Sequence, residues 1–275
     1  MKISSLYTWS FVAIIALGMV SCRSEFEKIR TSGDADLLYK KAFEFYEKED
    51  YAKAQTLFEL IISGLRGQVE AEKVYFYYAY SHYHQGKYIT ASYYFKDFVS
   101  KFLNSPDREE AAFMSAYSNY KLSPSYRLDQ TYTLQAIEGL EQFVNTYTRS
   151  ERVSEANKLI DTMRKKLERK ALAQAELYFD LRQYQASMHT FENMLRDYPE
   201  TSAAEEIRFK IVEASFLLAE NSVVVKQEER FKETIEKYKA FRKKYPTSSY
   251  DKDLDNIIKT STKKLNQLTN DGYQI

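Results

Sequence analysis

Turn-forming residues are scarce in this chain. Its 275 residues include only 7 glycines and 4 prolines. Sandwiches and doubly wound sheets need many tight turns, which draw on glycine and proline for their special backbone angles. The composition therefore excludes these sheet folds and predicts an all-α protein, with enough apolar sequence to bury a core.

Metal ligands and disulfide partners are also few. One cysteine cannot form an internal disulfide, and with three histidines it leaves a zinc site short of its usual four nitrogen and sulfur ligands. His82 and His84 are two residues apart, so on a helix they point in nearly opposite directions, and His189 stands alone. We therefore expect no metal and no metal cofactor.

Neither the charge nor the motifs indicate catalysis or binding to nucleic acid. The 40 basic and 39 acidic residues give a net charge of +1, which creates no long-range field for recruiting nucleic acid. A glycine-rich phosphate loop, a Gly-x-Ser-x-Gly elbow and a zinc signature are all missing from the sequence. We predict a non-enzymatic protein with no catalytic residues, which acts by binding.

The first residues have the pattern of a secretion signal. Lys2 precedes a mostly apolar stretch, Trp9–Val20, which is shorter than the roughly 20 residues that span a bilayer. A cleaved signal peptide is predicted over residues 1–21. Ser21 before Cys22 resembles the bacterial lipobox, in which the cysteine becomes the lipidated first residue. The alternative is an ordinary cleavage site beside a free cysteine.

Lipidation would tether an otherwise soluble chain. An N-acyl diglyceride on Cys22 is the only attached group that we expect, and two or three acyl chains hold a protein at a membrane without a basic patch. Residues 22–33 are predicted to be the lipidated linker. Arg23 follows the cysteine where the lipoprotein resemblance implies aspartate for inner-membrane retention, so the outer membrane is favoured.

A repeated motif determines the predicted fold. Each copy has a small residue with a large apolar anchor four positions later, on one face of a helix. The five copies are Tyr51-x-x-Ala54-x-x-x-Phe58, Tyr88-x-x-Ala91-x-x-x-Phe95, Thr133-x-x-Ala136-x-x-x-Leu140, Tyr184-x-x-Ser187-x-x-x-Phe191 and Phe231-x-x-Thr234-x-x-x-Tyr238.

This pattern is typical of tetratricopeptide repeats. Ala42, Ala79 and Ala175 each lie twelve residues before a small motif residue, where they allow paired helices to approach closely. The prediction is an α-solenoid superhelix of about five helix-turn-helix repeats. Repeats one to three occupy residues 34–150, and repeats four and five with a capping helix occupy residues 151–275.

The array is expected to be irregular, since the anchors are unevenly spaced. A longer loop is predicted at Ser123–Asp129 in repeat three and another near Asn221–Val225 in repeat five. One long helix should run from about Ser154 to Leu181, because this segment contains neither proline nor glycine.

Aromatic residues are abundant, with 24 tyrosines and 17 phenylalanines. Most of these aromatic residues must lie in the core, but the first helices of tetratricopeptide repeats also line a groove. Tyrosine offers apolar area with a polar tip, which suits reversible peptide capture. Plain packing within the repeats is the alternative. The candidate peptide-groove residues are Tyr39, Phe43 and Tyr46 in repeat one and Phe76, Tyr80 and Tyr83 in repeat two.

The layout resembles the BamD family of outer-membrane assembly lipoproteins over nearly the whole chain. The most specific passages are Asp34–Tyr39 leading to Tyr51–Ala54, Arg127–Thr131, and Asn193–Thr201. The resemblance implies a scaffold on the periplasmic face of the outer membrane. Its implied partners are a barrel insertase with periplasmic modules, unfolded β-barrel clients and other assembly lipoproteins.

The resemblance also implies distinct roles for the two ends of the chain. The N-terminal repeats would meet the terminal signal strand of a client, and the C-terminal repeats would dock to the insertase. Many relatives carry an arginine just before the fourth anchor, where this chain has Thr190; Arg182 or Arg196 would then be the substitute. The alternative function is a periplasmic repeat adaptor that coordinates cell-wall synthesis or envelope transport.

Overall fold

A computed structural model describes residues 25–270, which form twelve α-helices and contain no strand. The helices, numbered in chain order, are α1 (Glu25–Arg30), α2 (Ala35–Glu47), α3 (Tyr51–Ile62), α4 (Glu70–His84), α5 (Tyr88–Lys101), α6 (Arg108–Leu122), α7 (Thr131–Thr146), α8 (Val153–Asp180), α9 (Tyr184–Asp197), α10 (Ala204–Glu220), α11 (Val224–Lys244) and α12 (Asp251–Asn270). The predicted signal peptide and Cys22 lie outside the described residues.

The helices form consecutive pairs that match the predicted repeats. Repeats one to three are α2 with α3, α4 with α5, and α6 with α7, and repeat five is α10 with α11. Repeat four pairs the C-terminal part of α8 with α9, which share a core around Phe191. The predicted fold class, an all-α array of tetratricopeptide repeats, is confirmed.

Small residues let the two helices of a repeat pack closely. Ala42, Ala79 and Ala175 have no solvent exposure, and neither have the small motif residues twelve positions later. In repeat four the Ser187 hydroxyl donates to the Ala175 carbonyl at 3.0 Å, so this polar group is satisfied inside the contact. The first four anchors are fully buried, whereas the fifth, Tyr238, is partly buried.

Three helix-to-helix turns share one backbone geometry. Glu49, Gly86 and Arg182 have φ values of 60°, 72° and 57°, the left-handed conformation that commonly ends a helix. The residue after each one donates its amide to a carbonyl five positions back, as Asp50 does to Phe45 at 2.9 Å. The turns therefore reverse the chain within three residues and place each motif at a helix start.

The described chain divides into two compact units. The first comprises the described residues up to Ser123 together with Thr131–Ile160, and the second comprises Pro124–Gln130 and Asp161 onward. The division falls within α8, ten residues beyond the sequence-based boundary at residue 150. This 28-residue helix confirms the long helix expected from about Ser154 to Leu181.

The two predicted loops have different outcomes. Residues 123–130 do form a loop, and the Lys170 ammonium donates to the Leu128 carbonyl at 2.8 Å. The prediction of a longer loop near Asn221–Val225 is wrong, because only residues 221–223 separate α10 from α11. Val224 and Val225 belong to α11, so the extra length of repeat five lies in a 21-residue helix.

Two kinds of feature are missing from residues 25–270. No helix in this range has both the length and the apolar character that a membrane span requires. In the same range, no group of three or more histidine, cysteine, aspartate and glutamate side chains lies close enough together to hold a metal ion.

His82 is a buried histidine without hydrogen bonds. Its ring lies against Tyr78 and Tyr94 on α4 and α5, and neither ring nitrogen has a partner. Burial, aided by the positive charge of Lys87, lowers the pKa of His82 from 6.5 to about 4. The folded protein therefore holds this imidazole neutral in mildly acidic solution, while the unfolded chain protonates it.

This difference predicts a loss of stability in acid. Between pH 6.5 and 4 the unfolded state binds more protons at His82, so the free energy of unfolding falls as the pH falls. His82→Phe should remove about 2 kcal/mol of the loss between pH 7 and 5. Urea unfolding of both proteins at the two pH values measures this effect, and equal losses in both would contradict the assignment.

Candidate functional site: an aromatic surface on the first repeats

Aromatic side chains of the first unit form a continuous surface across three helices. Each row follows helical spacing, so its members share one helix face. We call the following residues the aromatic surface: Tyr39, Phe43 and Tyr46 on α2, Tyr77, Tyr80, Tyr83 and His84 on α4, and Tyr117 and Tyr120 on α6. All are half-buried except His84, which is exposed.

The rows on α2 and α4 meet through edge-to-face contacts. The Tyr77 ring lies 5.1 Å from Phe43 and 4.8 Å from Tyr46, measured between ring centroids. Phe43 also packs on the buried anchor Phe58 at 5.0 Å. Each such pair stabilises the fold by about 0.5–1.5 kcal/mol in addition to the effect of burying apolar area. The surface is therefore fixed to the core of repeat one.

Five of the six predicted groove residues belong to this surface, and Phe76 does not. Phe76 is only 8% exposed and packs inward against Phe98 at 5.3 Å. Its neighbour Tyr77 occupies the expected place. The prediction for Phe76 is therefore corrected: the residue of α4 that contacts Phe43 and Tyr46 on α2 is Tyr77.

His84 connects the tyrosines at one end of the surface. Its ring stacks on Tyr51 at 4.4 Å and 16° and on Tyr80 at 5.8 Å and 24°. The rings stacked on His84 partly desolvate it and so lower its pKa, while the charge of Glu49 opposes the shift. The sequence offered no reason to assign His84 to the site, because its role depends on two helices and a turn.

The third row, on α6, was missed by the sequence reasoning. The Tyr117 ring lies 6.3 Å from Tyr83 and 5.5 Å from Tyr120, so the surface continues into repeat three. The signal was present, since Phe113, Tyr117 and Tyr120 have the same spacing as the predicted residues of α2. Phe113 itself is buried, beneath the Arg152 guanidinium.

A polar network supports the surface between α4 and α6. The Tyr80 hydroxyl donates to the Glu110 carboxylate at 2.6 Å. Arg152 contacts both oxygens of the same carboxylate at 2.8 Å. A forked pair of this kind fixes orientation as well as charge, so Tyr80 is held in one position.

The phenols of the surface act as neutral hydrogen-bond donors. Burial raises the pKa of Tyr46 and Tyr80, and for Tyr80 the hydrogen bond to Glu110 adds to the shift. Burial also raises the pKa of Tyr83 to about 12. With the Lys73 ammonium 4.7 Å above the Phe43 ring, the surface combines apolar area, hydroxyl donors and a cation at its edge.

The three predicted docking residues are not brought together. Arg182 lies in the turn before α9, whereas Arg196 lies in its last turn and pairs with Asp197 at 3.4 Å. About 20 Å of helix separates these positions. Thr190 lies between them, and its hydroxyl donates to the Ala186 carbonyl of its own helix. Their docking role stays a prediction.

The helix pairs and their motifs define an α-helical repeat protein of the tetratricopeptide class. A family model described as YfiO, outer membrane lipoprotein, matches residues 32–229, which is more than half of the chain. The chain therefore belongs to the YfiO family, the BamD family of the resemblance above. Membership implies an outer membrane lipoprotein of the assembly machinery. A search of curated proteins finds no match.

Solved structures of tetratricopeptide proteins are similar to the chain at low identity. The TPR domain of P58(IPK) has a TM-score of 0.40 and 14% identity, and the alignment covers 85% of this chain and 66% of that chain, just under two thirds. The TPR2AB domain of yeast Sti1 in its pHSP90 complex has a TM-score of 0.39 and 12% identity, with coverages of 83% and 98%. At these TM-scores neither likeness supports a further statement about this chain.

Proposed function

We propose that this protein is a lipid-anchored scaffold on the periplasmic face of the outer membrane, within the machinery that assembles β-barrel proteins. Its partners are the barrel insertase and unfolded barrel clients. Family membership over residues 32–229 is the observation that carries this proposal. The protein acts by binding, and no catalytic step is assigned to it.

The aromatic surface is the proposed client site. It spans three first helices, so it offers an extended platform rather than a closed pocket. Client strands alternate apolar and polar side chains, and half-buried tyrosines can contact the apolar side chains while their hydroxyls bond to the peptide backbone. Rigid aromatic anchors lose little rotamer freedom on binding, which favours reversible capture.

A peptide-binding assay tests the client role. A labelled peptide copying the terminal strand of a barrel protein from the same bacterium is titrated with the chain from residue 23 onward, which retains every described residue. A scrambled peptide of equal composition is the control. Saturable binding at least tenfold tighter than the control supports the proposal, and equal affinities would contradict it.

The lipid anchor has its own test. Cys22→Ala removes the only thiol in the chain and therefore the only site for an N-acyl diglyceride. We expect the full-length variant, expressed in cells, to leave the outer-membrane fraction, because no second membrane signal is assigned to the described residues. Fractionation and immunoblotting measure the distribution. Retention of the variant at the wild-type level would contradict lipid anchoring.

A further inference from the structure

The short helix α1 fixes where the chain leaves the first repeat toward Cys22. Phe26 on α1 packs edge-to-face on Phe45 near the end of α2, with the ring centroids 5.6 Å apart. The Lys53 ammonium lies over both rings and pairs with Asp50 in the turn between α2 and α3. The N-terminal end of α1 therefore lies beside the turn that joins the two helices of repeat one.

Covalent geometry places the proposed lipid anchor close to this turn. Cys22 is three residues before Glu25, the first residue of α1, and three residues span at most about 11 Å when fully extended. Acyl chains attached to Cys22 enter the bilayer at that residue. The membrane surface must then lie close to this end of the first unit.

The corresponding turn of repeat two lies at the same edge of the unit. The Gln85 side chain, just after α4, donates to the Tyr51 carbonyl at 3.2 Å. The Lys87 ammonium donates to the Gln55 side-chain oxygen at 2.8 Å. Both turns are therefore bound to the start of α3. We call the following residues the turn edge: Lys48, Tyr51, Lys87, Tyr88 and Ile89.

The side chains of the turn edge suit a lipid surface. Ile89 is 59% exposed, Lys48 and Lys87 are exposed, and Tyr51 and Tyr88 are half-buried. Tyrosine and lysine are well suited to a membrane–water interface, because the ring or the stem contacts apolar matter while the polar tip stays in water. The turn edge therefore offers interfacial side chains where the anchor brings the chain to the bilayer.

The charge of the turn edge neither opposes this contact nor drives it. Residues 47–53 and 85–89 contain three lysines and three carboxylates, so the edge is neutral overall. A neutral edge with one exposed isoleucine is too weak to hold the protein at a membrane alone. The contact therefore depends on the acyl chains, which keep the edge and the lipid surface close together.

A second face also adjoins the anchor. We call the exposed residues Glu25, Lys28, Asp36 and Lys40 of α1 and α2 the end face. No large apolar side chain is exposed within residues 25–48, so this face cannot remove apolar area from water. Ile89 and the two tyrosines give the turn edge such area. The turn edge is therefore the better contact for lipid.

We propose that the turn edge lies on the surface of the membrane into which the lipid of Cys22 inserts. This inference rests on the lipid anchor of the proposed function and adds the face that meets the bilayer. The aromatic surface reaches the same edge, since Tyr46 is next to the turn and Tyr39 lies about 10 Å farther along α2. The contact thus brings one end of the client site to the membrane surface.

Fluorescence quenching on vesicles tests the proposal. Full-length Ile89→Cys protein is purified from outer membranes, and the new thiol is labelled with a nitrobenzoxadiazole fluorophore, because the diglyceride blocks the Cys22 thiol. The protein is added to vesicles of phosphatidylethanolamine and phosphatidylglycerol that carry nitroxide headgroups. Val69→Cys is the matched control, since Val69 is 90% exposed at the opposite end of α4. We expect at least threefold more quenching at residue 89.

Charge variants test which face makes the contact. Lys48→Glu with Lys87→Glu makes the turn edge acidic, so repulsion from phosphatidylglycerol should reduce the quenching at residue 89 at least twofold. Lys28→Glu with Lys40→Glu changes the net charge equally on the end face and should leave this quenching unchanged. A larger effect of the second pair would overturn the proposal in favour of the end face.

Vesicle flotation separates this contact from the anchor itself. Protein that floats with the vesicles but is quenched equally at residues 89 and 69, or at neither, would overturn the turn-edge contact and leave the lipid anchor standing. Protein that does not float would overturn both the anchor and the contact.

Discussion

Replacing Tyr39, Tyr83 and Tyr117 together with alanine should weaken binding of the client-strand peptide at least tenfold. Each tyrosine lies on a different first helix, so the triple variant interrupts the aromatic surface in all three repeats. Aromatic anchors commonly contribute 1 kcal/mol or more each, and tenfold corresponds to about 1.4 kcal/mol. Fluorescence anisotropy with the labelled peptide measures the change.

A tyrosine on another face provides the matched control. Tyr93 lies on α5 of the same unit, is 63% exposed and is not part of the aromatic surface. Tyr93→Ala should leave the affinity unchanged. If the triple variant stays folded by circular dichroism and binds the peptide as the wild type does, the surface serves only to pack the repeats.

Gly139→Ala should destabilise the first unit, although alanine is the better helix former. Gly139 lies within α7, and an added Cβ would lie 2.8 Å from the Cβ of Ala116 on α6. This distance is well below the contact distance of about 3.5–4.0 Å, so the helices must separate. We expect a loss of about 1–3 kcal/mol in the free energy of unfolding, measured with urea.

A compensating substitution isolates this contact. Ala116→Gly removes the opposing Cβ. The double variant should therefore be more stable than the sum of the two single effects predicts, and it should recover most of the stability that Gly139→Ala loses. An exposed helical glycine would instead gain about 1 kcal/mol on replacement by alanine. A stabilised Gly139→Ala protein would therefore show that α6 and α7 do not pack this closely.

The repeat frame could be read from sequence because it depends on local spacing. Ala42 and Ala54, twelve residues apart, are both fully buried, and so is the anchor Phe58. These residues pack within one helix pair, and such contacts require apolar and small residues at regular intervals in the sequence. The long helix α8 was also foreseen, since nothing within it interrupts a helix.

The exact face of α4 could not be predicted in the same way. Its sequence from Val74 to His84 is aromatic on nearly every side, so periodicity does not distinguish Phe76 from Tyr77. The loop expected near Asn221–Val225 was wrong at its end, since Val224 and Val225 begin α11 although β-branched residues are weak helix formers. On α4, contacts with neighbouring helices decide which aromatic residue faces the surface.

Purification of the tagged full-length protein from outer membranes in gentle detergent is the most direct test of the proposed role. Mass spectrometry would identify the accompanying chains and their ratio. The predicted result is recovery of a large barrel protein with periplasmic modules, at close to one copy for each copy of the tagged protein. Recovery of cell-wall enzymes or a transporter without any barrel insertase would contradict the assembly role and favour an adaptor instead.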